Sequence, residues 1–282
     1  MVAKEREAAP KGEVTPVEQE IRQHLQSIET VGSTILYFDT INSTNTCLKE
    51  QVQCGAADGT VVIAGHQTAG RGRMTRSFES PEGKGIYLSV LLRPKLPPER
   101  LLPLTALAGI AVCDAVERVC GVRPGVKWPN DAVLNGKKLC GILTELVMDG
   151  AEPCIVLGVG VNLSQTAGDF SPEVAAIATS LSVEVGKPVG SAALIAALLE
   201  EIDRLYIALK REDLSAYLAA YRRDCVNLGK QVQLIAPEGT REAAAALDVD
   251  EAFGLIVQTA EGTVKTVRAG EVSVRGLYGY IE

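Results

Sequence analysis

The first stretch of the chain, Met1 to about Glu13, shows no regular spacing of apolar residues. It is charged, rich in Ala, Pro and Gly, and reads as a disordered leader. Val17, Ile21, Leu25 and Ile28 then recur at helical spacing after Thr15-Pro16, an N-cap followed by a proline at the first helical position. Thr34–Phe38 (TILYF) and Thr60–Gly65 (TVVIAG) read as strands, the second β-branched and buried. Between them Ser43-Thr44-Asn45 can cap a helix that starts near Thr46. Gln67–Gly85 has no periodicity, and a loop that long inside a compact domain is usually functional or mobile.

Gly85–Leu92 (GIYLSVLL) predicts a strand ended by Arg93-Pro94, and Leu104 to Val119 carries the apolar stripe of a helix. Gly125–Trp128 and Asp131–Leu134 are short strands around a Pro129-Asn130 turn. Asn135-Gly136 and Asp149-Gly150 then mark turns joining strands Lys137–Met148 and Cys154–Asn162 into a meander. Ala192–Arg211 and Leu214–Arg222 are amphipathic helices. Beyond Cys225 the texture changes to short alternating runs at Gln231–Ile235, Ala244–Val249, Gly254–Gln258, Thr263–Arg268 and Glu271–Arg275, the pattern of a small all-β barrel. The fold class is α+β, a mixed sheet flanked by helices. The expected division is a leader and helix over residues 1–29, a main domain over 30–228 and a small β domain over 229–282.

Composition narrows the chemistry. Of 282 residues 46% are apolar and 22% charged, enough apolar surface to fold. No run approaches the roughly 18 apolar residues that span a bilayer, and the N-terminus lacks the apolar core of a secretory signal. Seven cysteines without a CxxC pair argue against a disulfide framework or a zinc knuckle and fit a reducing cytoplasm. Only two histidines, His24 and His66, leave little room for a His-rich metal site or Ser-His-Asp catalysis. The net charge of −7 gives no support to nucleic-acid binding, so an anionic ligand must be met by a local cluster of Lys and Arg.

Such clusters exist. His66–Arg76 (HQTAGRGRMTR) sets Arg71, Arg73 and Arg76 between glycines, where backbone can approach a ligand and guanidinium groups can grip carboxylate or phosphate. Taken alone it equally describes a solvated basic loop. Lys127-Trp128-Pro129-Asn130-Asp131 holds the one tryptophan beside a lysine and an acid at a strand end. That tryptophan could stack on a base or simply be buried. In Lys137–Leu143 (KKLCGIL) a lysine entering an apolar strand can aim its ammonium into a cavity, though taken alone the segment more readily describes a hairpin lysine facing solvent. Gly158–Asn162 (GVGVN) lacks the third glycine of a dinucleotide fingerprint, and its small residues instead leave room against a sheet. Cys113 and Cys120, seven apart on one helix, read as core.

In order, FDTINSTN (Phe38–Asn45), GHQTAGRGRMTRSF (Gly65–Phe78), KWPND (Lys127–Asp131), KKLCGIL, GVGVN and GEVSVRG (Gly270–Gly276) resemble the biotin–protein ligase family from about Val31 onward. The resemblance implies a catalytic core related to class II aminoacyl-tRNA synthetases and an SH3-like C-terminal domain. It implies an ATP-dependent ligase: biotin and ATP give biotinyl-5′-AMP, and a lysine of a biotin carboxyl carrier domain then takes the biotinyl group as an amide. By this similarity Lys138, Arg73, Lys127 and Asp131 are the catalytic candidates, with Asp131 as candidate base for the carrier lysine. Ser43, Thr44, Asn45, Gln67, Gly70, Arg71, Gly72, Arg73, Lys138 and Gly141 would bind biotin. Arg71, Arg73, Arg76, Trp128, Asn130 and Asn162 would face ATP or the adenylate. Mg2+ is expected with ATP, though no pattern fixes its ligands, and a homodimer is implied.

Two positions depart from the family loop GRGRxGRxW: Thr75 stands for the later glycine and Phe78 for the tryptophan. One helix before the first motif cannot form a DNA-reading head, so the similarity points to the monofunctional type, without DNA binding. The alternatives are a lipoate–protein ligase of the same fold and a non-catalytic biotin-responsive regulator.

Overall fold

The structure, a computed structural model, describes residues 14–74, 76–269, 272–276 and 280–281. The expected leader, Thr75 and the first two residues of GEVSVRG lie outside them. The elements are α1 (Pro16–His24), β1 (Ile35–Ile41), α2 (Thr44–Gln53), β2 (Val61–Gln67), β3 (Gly85–Leu92), α3 (Leu104–Cys120), β4 (Gly125–Lys127), β5 (Asp131–Leu134), β6 (Lys137–Asp149) and β7 (Glu152–Asn162). They continue with α4 (Pro172–Ala175), α5 (Leu181–Val185), α6 (Ser191–Lys210), α7 (Ser215–Asp224), β8 (Gln231–Ile235), β9 (Arg241–Val249), β10 (Leu255–Thr259), β11 (Val264–Val267) and β12 (Ser273–Gly276).

The first seven strands form one sheet in the order β1-β2-β3-β7-β6-β5-β4. Only β1 and β2 run parallel, so the sheet is mixed as expected. Turn chemistry sets the registers. Asn135 and Gly136 both have positive φ, 48° and 77°, the backbone that a two-residue hairpin with the sheet's own twist demands. The next turn is Gly150-Ala151, one residue later than the Asp149-Gly150 pair, because Asp149 still pairs with Glu152.

The two faces of the sheet do different work, and the period-2 alternation of its strands explains how. On β3, Ile86, Leu88, Val90 and Leu92 point to one face, and on β7 Ile155, Leu157, Val159 and Val161 do the same. These join the buried cluster that includes α3 and α6. The alternate positions, Tyr87, Ser89 and Leu91 on β3 and Val156, Gly158, Gly160 and Asn162 on β7, face α2. There a smaller apolar cluster of Leu48, Val52, Val62, Leu91, Cys154 and Val156 seals one end and leaves the rest open.

The helices cover the apolar face closely. A Cβ on Gly109 of α3 would come within 3.2 Å of Val126 on β4. Cys113 on the same helix is fully buried, as expected for a core residue. On α6, Asp203 accepts the backbone N–H groups of Glu29, Thr30 and Val31 at 2.7, 2.9 and 2.8 Å. Glu200 accepts from Gln26 N at 2.6 Å and from Arg118 at 2.8 Å. These buried acids hold down the chain between α1 and β1, and α1 ends at His24 instead of continuing to Ile28.

Strands β8 to β12 form a second, antiparallel sheet in the order β11-β10-β9-β8-β12. It is fastened to the first through Val226 N on Val126 O, Trp128 N on Asn227 Oδ1 and Trp128 Nε1 on Phe253 O, at 2.9, 2.7 and 2.9 Å.

Candidate active site

A cavity of about 220 Å3 opens on the α2 side of the first sheet. Its floor follows from the sequence. Gly141 on β6 pairs directly across from Gly160 on β7, and Gly158 lies two residues along. The Phe78 ring rests on this pair, so that a Cβ on Gly160 would come within 2.6 Å of it and one on Gly141 within 3.0 Å. The glycines of GVGVN therefore make a flat floor that side chains would fill.

One end of the cavity is neutral and polar. Thr44 and Asn45 begin α2, preceded by Ser43, whose side chain does not cap the helix. Gln67 ends β2, and its Oε1 accepts from Thr44 N at 2.8 Å and Thr44 Oγ1 at 3.1 Å. Its Nε2 donates to Ser80 Oγ at 2.9 Å. Ser89, fully buried on β3, donates to Asn45 Oδ1 at 2.5 Å and lies 2.7 Å from Thr44 Oγ1. Asn45 Nδ2 in turn donates to Glu145 Oε2 at 2.8 Å, and Lys49 and Arg71 meet the other oxygen at 2.9 and 3.3 Å. Burial opposes ionisation of Glu145, but these partners prevail and hold its carboxyl below the usual range.

The other end is positive. The backbone of Lys138 is held by β5 on one side and by a bridge to Ala178 on the other. Its ammonium meets Asp131 Oδ1 at 2.8 Å. Burial penalises the Asp131 anion, yet Lys138 and Lys127 outweigh it and keep the carboxyl below its ordinary value. Lys127 is buried, donates to Val274 O at 3.1 Å, and is pushed down to about 8 by that burial. Arg73 Nη1 donates to Asn130 Oδ1 at 3.1 Å, and Asn130 Nδ2 donates to Ile142 O at 3.1 Å. Arg73 Nη2 is shielded from water and has no hydrogen-bond partner among the described residues. A buried guanidinium with an unused donor costs free energy unless an anion arrives to take it.

The Gly- and Arg-rich segment is more ordered than its lack of periodicity suggests. Phe78 N donates to Gly70 O and Gly72 N to Arg76 O, at 2.9 and 2.7 Å, making a small hairpin with Met74 at positive φ near its tip. This hairpin brings Arg71, Gly72, Arg73 and Arg76 to the cavity wall. Gly70 is the one expected site residue that does not line the cavity. It sits where a Cβ would come within 2.3 Å of Phe78 O, so its role there is to let the hairpin close. Trp128 borders the cavity, but its ring is buried and its indole N–H is committed to Phe253 O. That placement makes it a tie between the sheets and leaves no open face for a base. Asn162 Nδ2 donates to Thr179 O at 2.9 Å and so fixes the segment after β7, whose Phe170, Val174 and Ile177 close the positive end.

Sequence reasoning missed Ser80, Ser89, Glu145, Arg275 and Tyr280. Ser89 and Glu145 carried a usable signal, being polar residues on the inward alternation of otherwise apolar strands.

A family profile described as "Biotin/lipoate A/B protein ligase family" matches residues 37–162. A protein of Mycobacterium tuberculosis named "Biotin--[acetyl-CoA-carboxylase] ligase" is 37% identical over 236 residues, 82% of this chain and 85% of that one. The chain belongs to the biotin–protein ligase family. Within that family, the "Bifunctional ligase/repressor BirA" of Bacillus spizizenii is 35% identical, covering 89% of this chain and 77% of that protein. The solved biotin protein ligase from Aquifex aeolicus in complex with biotin and ATP superposes with a TM-score of 0.77 at 29% identity, over 86% of this chain and 99% of that one. The likeness to biotin protein ligases thus extends well beyond residues 37–162.

Proposed function

We propose that this chain activates biotin with ATP to biotinyl-5′-AMP and then transfers the biotinyl group to a lysine of a biotin carboxyl carrier domain. The observation that carries this is the two-ended pocket: a neutral hydrogen-bonding end, a glycine floor, and a cluster of Lys138, Lys127 and Arg73 with a buried donor that no described residue accepts. In the first step a biotin carboxylate oxygen attacks the α-phosphorus of ATP, the bond to the pyrophosphate oxygen breaks, and pyrophosphate leaves with the electron pair. Two anions must meet for this, so fixed positive charge and positioning supply most of the acceleration. Lys138 and Arg73 stand where they can hold the carboxylate and α-phosphate together, with Lys127 behind them. In the second step the carrier lysine, as its neutral amine, attacks the acyl carbon, the acyl–phosphate C–O bond breaks, AMP leaves with the electron pair, and the surplus amine proton passes to solvent.

Asp131, ion-paired with Lys138 and held below its ordinary value, suits the task of orienting Lys138 better than that of removing a proton from the carrier lysine. Glu145 is likewise engaged. Among the described residues no three His, Cys, Asp or Glu side chains gather as a metal site requires, so Mg2+ would be held by the ATP phosphates.

The neutral end favours biotin over lipoate. A ureido ring can add hydrogen bonds to the remaining donor and acceptor capacity of Ser43, Thr44, Asn45 and Gln67, whereas a dithiolane would desolvate that polar wall and offer it none. We read residues 30–228 as the catalytic unit and 229–282 as an SH3-like one, supported by β8–β12 pairing only with one another. A homodimer through the sheet is supported by β6, which pairs with β5 only as far as Gly141 and exposes Leu146 and Met148 beyond it. No helix among the described residues is long and apolar enough to cross a membrane. A cytoplasmic setting accords with seven cysteines that form no CxxC pair. The activity is read as ligation without operator binding, and a sequence-specific gel shift on biotin-operon DNA would count against that part.

The test is transfer. Incubated with Mg-ATP, biotin and a carrier domain, the protein should add one biotinyl group to the carrier, located by peptide mass spectrometry on a single lysine. An unmodified carrier together with accumulated biotinyl-AMP would restrict the activity to the first step.

A further inference from the structure

Tyr280 reaches the positive end of the pocket from beyond the last strand of the second sheet. Its hydroxyl donates to Asp131 Oδ2 at 2.5 Å, while Asp131 Oδ1 faces the Lys138 ammonium at 2.8 Å. Its ring lies under the Lys127 ammonium, 4.0 Å from the ring centroid, and beside the Arg275 guanidinium at 5.4 Å. Tyr280 and Arg275 both line the cavity. With one oxygen hydrogen-bonded and the other ion-paired, the carboxylate is restrained against rotation. An ammonium on a flexible four-carbon stem is otherwise free to wander. A group that must meet a reacting oxygen needs placement to within roughly 0.5 Å.

Resting on the ligase reading, we propose that Tyr280 is a positioning residue for adenylation: by locking the Asp131 carboxylate it aims the Lys138 ammonium at the meeting point of carboxylate and α-phosphate. The aromatic face has a second duty. It stands against two cations, Lys127 and Arg275, and lowers the cost of crowding them at one end of the pocket. The second sheet thereby completes the site that the first one builds.

Tyr280→Phe tests the hydroxyl while keeping the ring. The single-turnover rate of adenylate formation should fall about tenfold, with the KM for biotin unchanged, because the neutral end is untouched. Asp131→Asn should also slow the step, and the double variant Tyr280→Phe/Asp131→Asn should be no slower than Asp131→Asn alone, since the tyrosine acts through the acid. A wild-type rate in Tyr280→Phe, or losses that multiply in the double variant, would overturn the proposal. A faster Tyr280→Phe would also overturn it and make the residue a plug.

A readout independent of activity is the 15N signal of the Lys138 ammonium in the ligand-free protein. Its protons should exchange with water several-fold faster in Tyr280→Phe than in wild type, and equal exchange would refute the lock. If the wild-type protein forms no adenylate, the ligase reading fails, and this exchange measurement alone decides the role of Tyr280.

Discussion

The two ends of the pocket are built on opposite plans. At the neutral end Thr44, Asn45 and Gln67 already have partners within the protein: Gln67 holds Thr44, Ser89 holds Asn45, and Asn45 reaches Glu145. At the positive end Lys127, Lys138, Arg73, Arg76 and Arg275 line the cavity, Asp131 is ion-paired with Lys138, and Arg73 Nη2 is buried with no acceptor among the described residues. A satisfied network is rigid before the ligand comes and can discriminate by shape and hydrogen-bond pattern. An unsatisfied one is poised, and the arriving anions supply the missing partner. Recognition and chemistry are thereby separated along about the length of one small acid.

The sharpest way to break this comparison is at Lys138. Lys138→Met should lower the rate of adenylate formation by about 10²–10³-fold, read as pyrophosphate release, while biotin binding by calorimetry changes far less. Equal losses in both would mean that the ends are not separable. At the neutral end Gly158→Ala is the strongest lesion, because the new Cβ would lie 2.2 Å from Asn45 Oδ1 and must displace it. Overpacking of this kind costs about 1–3 kcal/mol, so biotin affinity should weaken about tenfold or more. Ser89→Ala is milder. It strips Asn45 Oδ1 of its buried donor, and about tenfold weaker biotin binding with little change in the rate at saturating biotin is expected from stopped-flow measurements.

The smallest effect is in proton uptake. Lys127 is pushed down to about 8 by burial, so above that pH the empty site holds a neutral amine. A bound anion favours the ammonium and raises the value again. Ligand binding should therefore take up protons between about pH 8 and the ordinary lysine range, detected by calorimetry in buffers of different ionisation enthalpy. The kcat/KM should fall as pH rises through about 8. Over the same window the unfolded chain holds a proton that the folded one has released, so the site's contribution to stability increases with pH.

What the sequence revealed followed the same division. The sheet was legible because its strands are short apolar runs bounded by strong turn signals. The lysines and arginines of the positive end were legible because they fall within compact motifs. The neutral end was half legible: Ser43, Thr44, Asn45 and Gln67 stand in motifs, but Ser89 is a single residue inside GIYLSVLL and becomes informative only once β3 is known to present it to α2. Tyr280 was invisible for a further reason. Its contacts are with Asp131 and Lys127, some 150 residues away in the chain, and no local pattern carries a pairing between two sheets. The hairpin within Gly70–Phe78 was hidden because glycine-dependent closure leaves no hydrophobic periodicity.

The most direct test of the central claim sets the two ends against each other in one tube. The purified protein is incubated with Mg-ATP and equimolar biotin and lipoate, whose acid chains are alike and whose rings differ, and the acyl-adenylates are identified by mass spectrometry. Biotinyl-AMP alone is the predicted result, since the positive end accepts either carboxylate and the neutral end accepts only the ureido ring. Lipoyl-AMP in comparable amount would contradict the assignment of Ser43, Thr44, Asn45 and Gln67 to ring recognition, and the absence of any adenylate would contradict the account of the positive end.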